Sequence, residues 1–278
     1  PDAYIVGEDW GLAESHLQGD QWDATMNYPF AVRAIRYFID QKRKVTASEF
    51  DRQLRDLLSR RPMAVNFVMQ NLYDSHDTDR LVNMIANPDR DYDGCNRPQD
   101  GCPYNGGKPG DGAYRIQKLM ATFQMTFVGA PLIWYGDEVG MFGADDPSCR
   151  KPMLWKDRMP YNSPQDVVMD DMFEHYRKLI AAHNQLPPLR AGLYKPLLTD
   201  EARDVFAFTR TLGGQVVAVI LNKSNKEQSV EIPHLWPAVG PVTELFGGNV
   251  TVVTPGKLRV MLPAKSGAVL FDLTASER

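Results

Sequence analysis

The sequence predicts an α/β chain in two parts: parallel β/α units over residues 1–190, then an all-β antiparallel sandwich over residues 191–278. Two observations carry that reading. Across the first part a short apolar run is followed by a stretch with helical spacing of apolar residues, four times over, as parallel β/α units require. From about Leu193 the apolar period drops to two, and turn residues separate short segments, as in a β-sandwich.

In chain order, Ala3 to Gly7 (AYIVG) reads as a buried strand that ends in Glu8. Asp23 to Asn27 is a weaker strand, and Phe30 to Ile39 the helix after it. Thr46 and Glu49 form a T-x-x-E capping pair. Behind them Phe50, Leu54, Leu57 and Leu58 share one helical face, which Pro62 ends. Phe67 to Tyr73 reads as the third strand, and a loop rich in Asp, Gly and Pro runs from Asn87 to Gly112. Ile116, Leu119, Met120, Phe123 and Phe127 mark another helix, and Pro131 to Tyr135 (PLIWY) the fourth strand. A last helix is lined by Met172, Phe173, Tyr176, Leu179 and Ile180 and is ended by Pro187 and Pro188. The sandwich strands are Val205–Arg210, Val216–Leu221, Gln228–Ile232, Val242–Leu245, Lys257–Leu262 and Ser266–Leu273. Asn222 to Asn225, Gly247-Gly248 and Pro255-Gly256 are the turns between them.

With 43% hydrophobic and 24% charged residues the chain can bury one large core or two smaller ones. A formal net charge of -4 gives no electrostatic reason for nucleic acid or an anionic membrane as partner. The apolar runs are too short to cross a bilayer. No signal peptide is visible, and an opening at Pro1 without Met reads like a piece cut from something longer. Cys95 and Cys102 share one loop; a bridge between them suits a periplasmic or extracellular home, free thiols a cytoplasmic one.

Three acidic sites sit at the C-terminal ends of predicted strands: Glu8, Asp77 and the pair Asp137-Glu138. A parallel barrel gathers such ends around one pit. Carboxylates in a partly dry pit push each other's pKa values apart, which suits one acid and one base or nucleophile, the arrangement for sugar-bond hydrolysis. Trp10, Tyr28, Trp134 and Tyr135 near the same ends offer apolar faces for pyranose rings. Each of these has an ordinary structural reading as well, such as a solvated Glu or a core Trp. Their convergence favours the catalytic one. The sequence contains no H-E-x-x-H, G-x-S-x-G, P-loop or G-x-G-x-x-G pattern.

The Asp-rich loop carries D-x-D-x-D-G at Asp89, Asp91, Asp93 and Gly94, with Asp100 at the twelfth position and the Cys95 carbonyl where a backbone ligand is expected. This is a candidate structural calcium loop; an acidic solvated loop is the alternative, since the last position is Asp and Pro98 intrudes.

V-G-E-D-W at 6–10, D-A-T-M-N-Y-P-F at 23–30, L-Y-D-S-H-D-T-D-R at 72–80, P-L-I-W-Y-G-D-E-V-G-M at 131–141 and D-D-P-S-C-R-K-P-M-L-W at 145–155 resemble the second half of an α-amylase-family catalytic barrel. The branch they look most like is that of the neopullulanases and cyclomaltodextrinases. The resemblance covers nearly the whole chain. It implies strands five to eight of a (β/α)8 barrel followed by the family's β-sandwich. It makes Glu8 the general acid/base and Asp77 the third carboxylate, with His76 on the same sugar and Asp9 and Trp10 toward the leaving group. It sets Asp146 and Arg150 further out on the glycone side, and Cys149 as a packed free thiol.

The substrate class it implies is an α-1,4 (or α-1,6) glucan such as maltodextrin, cyclodextrin or pullulan, with no cofactor needed for the chemistry. Ser75, where many amylases have Asn, fits the neopullulanase branch. The family's nucleophile lies in a G-x-R-x-D motif, which these residues lack, so the chain alone is expected to be inactive and to need the N-terminal half of the barrel. The rival reading is a non-catalytic amylase-like protein that binds glucan or serves as a partner subunit.

Overall fold

In a computed structural model of the chain, residues 2–236, 242–254 and 256–272 are described. The expected turn residue Pro255 and strand residue Leu273 lie outside them.

The first part contains four very short parallel strands. β1 (Val6–Gly7) pairs with β2 (Ala24–Thr25), and β3 (Gln70–Asn71) with β4 (Ala130–Pro131), while a parallel bridge from Met26 to Gln70 joins the two pairs. The strands thus lie side by side in chain order. Their ladders are shorter than the apolar runs suggest. Tyr4 and Ile5, read as buried strand, are each 50% exposed. The Phe67–Tyr73 strand is corrected too: residues Met63–Val68 form a short helix, α3, and only Gln70–Asn71 pair. Pro62 opens that helix rather than simply ending the one before.

Glycine is required where β1 ends. A Cβ on Gly7 would come within 2.2 Å of the Trp22 ring, so only glycine lets the indole lie against the strand that delivers Glu8. Buried amides close the strand ends. Asn27 donates to Asn71 at 2.8 Å, Asn71 donates to the Val128 carbonyl, and Gln124 donates to the carbonyls of Asn71 and Leu132. These bonds satisfy polar groups that burial would otherwise leave unpaired.

The helices expected from the apolar spacing form, and two short unexpected ones join them, over Leu81–Ala86 and Pro187–Ala191. They are α1 (Tyr28–Phe38), α2 (Ala47–Ser59), α4 (Leu81–Ala86), α5 (Asp111–Thr126), α6 (Asp170–Gln185) and α7 (Pro187–Ala191). Pro29 lies in the first turn of α1, where a missing N–H costs nothing. Thr46 accepts the Glu49 N–H at 3.2 Å, so the T-x-x-E pair caps α2 as read. α6 ends at Gln185, just before Pro187 and Pro188 as expected, and the two prolines then form the first turn of α7.

The second part has two antiparallel sheets. One has the order β5-β6-β7-β12-β9, built from Leu193–Asp200, Val205–Leu212, Gln215–Asn222, Ser266–Asp272 and Val242–Glu244. The other has the order β10-β11-β8, from Val250–Thr254, Lys257–Leu262 and Gln228–Pro233. Along β6 the side chains alternate. Val205 and Ala207 face the second sheet, while Phe206 and Phe208 face the helices. The helix-facing core stacks Phe30, Phe50, Phe123 and Phe206 with centroids 5.3–5.5 Å apart, so α1, α2 and α5 share one core with the large sheet. Fully buried Arg210 stitches the same seam by donating to the carbonyls of Gly192 and Thr126 at 3.0 and 2.8 Å. Burial lowers its pKa to about 9.

Candidate active site

Glu8 follows β1 directly and is exposed. Its carboxylate accepts a hydrogen bond from the Tyr28 hydroxyl at 3.2 Å. Tyr28 stands at the first residue of α1, right after β2, and is buried. Burial pushes its phenol up to about 12, with the negative charges of Glu8 and Asp77 adding to the shift and a hydrogen bond with Ser75 opposing it. The phenol therefore stays neutral and lies in the field of both carboxylates. The strand ends do bring Glu8 and Asp77 to one place.

Trp10 lies flat on the Tyr28 ring, with centroids 4.0 Å apart and planes within 7°. It keeps 41% of its surface exposed. Beneath both rings, at 5.8 and 5.9 Å, sits Tyr92, whose hydroxyl donates to the Tyr73 carbonyl. An exposed indole held rigid from behind is a platform for an apolar ring face. Asp9 accepts the Gly11 N–H at 2.6 Å, which fixes the turn carrying Trp10.

Asp77 lies after β3, close enough for its charge to act on the Tyr28 phenol. His76 Nε2 is 3.2 Å from one carboxylate oxygen, and Arg150 donates to the other at 3.1 Å. Arg150 also donates to the His76 carbonyl at 2.9 Å and reaches Asp146 at 3.1 Å. Expected to lie further out, Arg150 instead links Asp146 directly to Asp77. Trp134 donates to the Cys149 carbonyl, and Tyr135 to the Lys151 carbonyl, so both rings are tied to the loop that presents Arg150. Cys149 is a buried free thiol.

The pair Asp137-Glu138 does not join this pit. Asp137 is buried beside Arg80, whose guanidinium lies 3.2 Å from it and donates to the Tyr135 carbonyl at 2.7 Å. Burial drives the Asp137 carboxyl well above its ordinary range, with the nearby Asp74 charge adding to the effect. Asp74 is itself pushed up to about 6 by burial, opposed by its hydrogen bond with Asp137 and by Arg80. Two carboxyls and one guanidinium share a dry site, so the acids hold a proton between them beneath the exposed pit. A similar buried set joins Asp79 to Arg90 and, at 2.7 Å, to Tyr104. Arg80, Tyr92 and Asp74 escaped the sequence reading. Asp74 and Arg80 stand inside the L-Y-D-S-H-D-T-D-R segment, and an aromatic among the acids of the Asp-rich loop was the signal for Tyr92.

The candidate calcium ligands are not brought together. Asp89 accepts the N–H groups of Gln41 and Lys42, and Asp91 pairs with Arg43 at 2.6 Å. Asp93 accepts from the Asn96 side chain, while Asp100 accepts the N–H groups of Asn96 and Arg97. Cys95 is disulfide-bonded to Cys102. Positive φ at Asp89, Asp93 and Cys95 turns the successive side chains away from one centre. Among the described residues no group of three or more His, Cys, Asp or Glu is placed to hold a metal, so the loop as folded does not fit a calcium ion. Adding calcium or EGTA is expected to leave Tm unchanged. A calcium-dependent rise above about 2 °C, measured by differential scanning fluorimetry, would mean that the loop rearranges around the ion.

Side-by-side parallel strands that present acids and aromatics at their ends, set against an antiparallel sandwich, are the architecture of amylase-like proteins. Over nearly its whole length the chain is similar to α-amylase-family proteins of the cyclomaltodextrinase, neopullulanase and maltogenic amylase kind. Residues 194–269 match the maltogenic amylase C-terminal domain. Over 272 residues the chain is 37% identical to the cyclomaltodextrinase of Geobacillus thermopakistaniensis, covering 98% of this chain and 40% of that one. It is 32% identical to neopullulanase 2 of Thermoactinomyces vulgaris, again over 98% of this chain and 40% of the relative. A solved cyclomaltodextrinase structure superposes with a TM-score of 0.75 at 29% identity, covering 97% of this chain and 40% of that one. The chain thus spans 40% of the length of these two curated relatives.

Proposed function

We propose that this chain is part of a retaining α-glucan hydrolase, in which it supplies the general acid/base Glu8 and the third carboxylate Asp77. The observation that carries the reading is the joint placement of the two acids around the neutral phenol of Tyr28. On this reading the four parallel strands are strands five to eight of a (β/α)8 barrel, with the sandwich as a separate domain after residue 190. Glu8 protonates the glycosidic oxygen as it leaves, while Tyr28 holds the carboxyl in place by donating to its other lone pairs. Asp77, fixed by His76 and Arg150, grips sugar hydroxyls and favours the positive charge that develops on the glycone ring. Trp10 stacks against the leaving-group sugar. The substrates are maltodextrins, cyclodextrins or pullulan, the chemistry suggested by the names of the relatives.

The attacking carboxylate comes from outside these 278 residues, on the complementary half of the barrel. In retaining enzymes the two carboxyl groups stand about 5–5.5 Å apart. The 278 residues alone are therefore expected to release no reducing sugar from β-cyclodextrin, and activity should appear when the complementary half is supplied in cis or in trans. Hydrolysis by the isolated chain, abolished by Glu8→Gln, would sink the split-site reading. Glucan binding without turnover by the complemented protein would favour a non-catalytic partner role. The Cys95–Cys102 bridge supports a periplasmic or extracellular home.

A further inference from the structure

Away from the acid pit, a cavity of about 190 Å³ opens between the C-terminal end of α1 and three turns of the sandwich. Tyr37 and Asp40 line it from the helix end and Lys44 from the segment that follows. Asp204 comes from the β5–β6 turn, Lys223 from the end of β7 and Lys265 from the β11–β12 turn. Its walls are almost wholly polar, unlike the apolar seam beside it.

The charges in this cavity do not balance. Lys223 is buried, donates to the Tyr37 carbonyl at 3.0 Å, and lies 3.5 Å from Asp204. Lys265 donates to the Lys223 carbonyl. Burial lowers the pKa of both amines; Asp204 opposes the shift, and the Lys44 charge adds to it. Asp40 is already engaged, by Arg43 at 3.3 Å and by the Asp89 N–H at 2.9 Å. Three ammonium groups therefore face two carboxylates, Asp40 and Asp204, with Arg43 shared between Asp40 and Asp91, and the cavity keeps a surplus of one positive charge. A second observation points the same way. The Tyr37 hydroxyl, on a side chain only 1% exposed, has no hydrogen-bond partner among the described residues. Tyr37 is among the residues that line the same cavity. A cation at helix-end carbonyls is ordinary, but that accounts for Lys223 alone.

We propose that this cavity binds a phosphate group, free or carried on a sugar, between Lys44, Lys223 and Lys265, with the Tyr37 hydroxyl as a further donor. A phosphate anion answers the surplus positive charge, and its tetrahedral oxygens suit donors arriving from several directions. Because α1 and the sandwich turns both contribute, the bound anion clamps the two parts together. The site is independent of the acid pit and of whether the chain hydrolyses glucans.

The test is thermal unfolding of the intact native polypeptide at about pH 8, in about 10 mM phosphate against chloride of matched ionic strength. Phosphate is expected to raise Tm by roughly 3 °C more than chloride. The rise should shrink in Lys44→Ala, an exposed position, and vanish when Lys265→Asn is added. Asn suits position 265 because its φ is 53°. Asp204→Asn, also at a left-handed φ, removes the competing carboxylate and should enlarge the rise. A hexose monophosphate run in parallel assigns the source, the carried form raising Tm further than free phosphate. Equal Tm in phosphate and chloride, or a full rise in the doubly substituted protein, overturns the proposal.

Discussion

On the proposed reading, Glu8→Gln in the complete polypeptide is expected to lower kcat on maltodextrin by roughly 10³- to 10⁴-fold, the upper range for a lost general acid. The side chain is exposed and Gln can still accept from the Tyr28 hydroxyl, so Tm should move by no more than about 1 °C. The loss should depend on the leaving group. An alkoxide needs a proton as the bond breaks, whereas fluoride does not. Turnover of α-glucosyl fluoride should therefore fall far less than turnover of maltodextrin, with hydrolysis of the glycosyl-enzyme now limiting. A uniform loss on both substrates would point to a disturbed site instead of a missing proton donor. Activity above a tenth of the parent on maltodextrin would remove Glu8 from the acid role altogether.

Much of this site was legible because the chemistry sits immediately after apolar runs. Glu8 follows AYIVG, and His76-Asp77 follow the Leu72-Tyr73 end of a buried segment, so the parallel arrangement alone predicts that they meet. The relations between them were not legible. Tyr28 could be seen near a strand end, but its hydrogen bond to Glu8 depends on its burial at the start of α1. Arg150 reaches Asp77 across 73 residues of sequence, which no local pattern encodes. The Asp-rich loop shows the converse. Its spacing matches a calcium loop, yet Asp89 and Asp91 are taken up by Gln41, Lys42 and Arg43, and Asp93 and Asp100 by Asn96 and Arg97.

The fold was read best where one face is buried and the other is not. On α2 the apolar face and its cap are both visible, and the helix forms as Ala47–Ser59. β5 escaped notice because Pro196 breaks a run that is only half buried; β10 because its residues are mostly exposed. The four parallel strands were overestimated for a different reason. Runs such as AYIVG read as full strands, while the chain pairs only Val6 and Gly7 and leaves Tyr4 and Ile5 half exposed. Apolar character marks what is available for burial, and pairing decides how much of it becomes strand.

The buried charges beneath the pit make a second strong expectation. Arg80→Met should cost about 3–5 kcal/mol of stability at neutral pH, because it removes the cation from a dry site that still holds two acids. Arg80 is fully buried, donates to Tyr135, and stands over its ring at 5.0 Å. Met fills similar volume, so the loss is chiefly electrostatic. Its pH dependence has a definite sign. Asp74 and Asp137 both have folded-state pKa values raised above the unfolded ones, by burial first. An acid of this kind binds its proton more tightly when folded, so its contribution to stability is present at low pH and is lost as pH rises through the folded value. For Asp74 that value is about 6, and removing Arg80 moves both groups higher.

The variant should therefore lose stability steeply as pH rises above about 6, and should recover much of it near pH 5, where both acids are neutral. Adding Asp137→Asn to Arg80→Met removes one of the stranded acids and should restore part of the loss at neutral pH. Urea unfolding at about pH 5 and pH 8 measures both effects. Equal losses at the two pH values would show that Arg80 acts through packing, and that the acids beneath the pit do not depend on its charge.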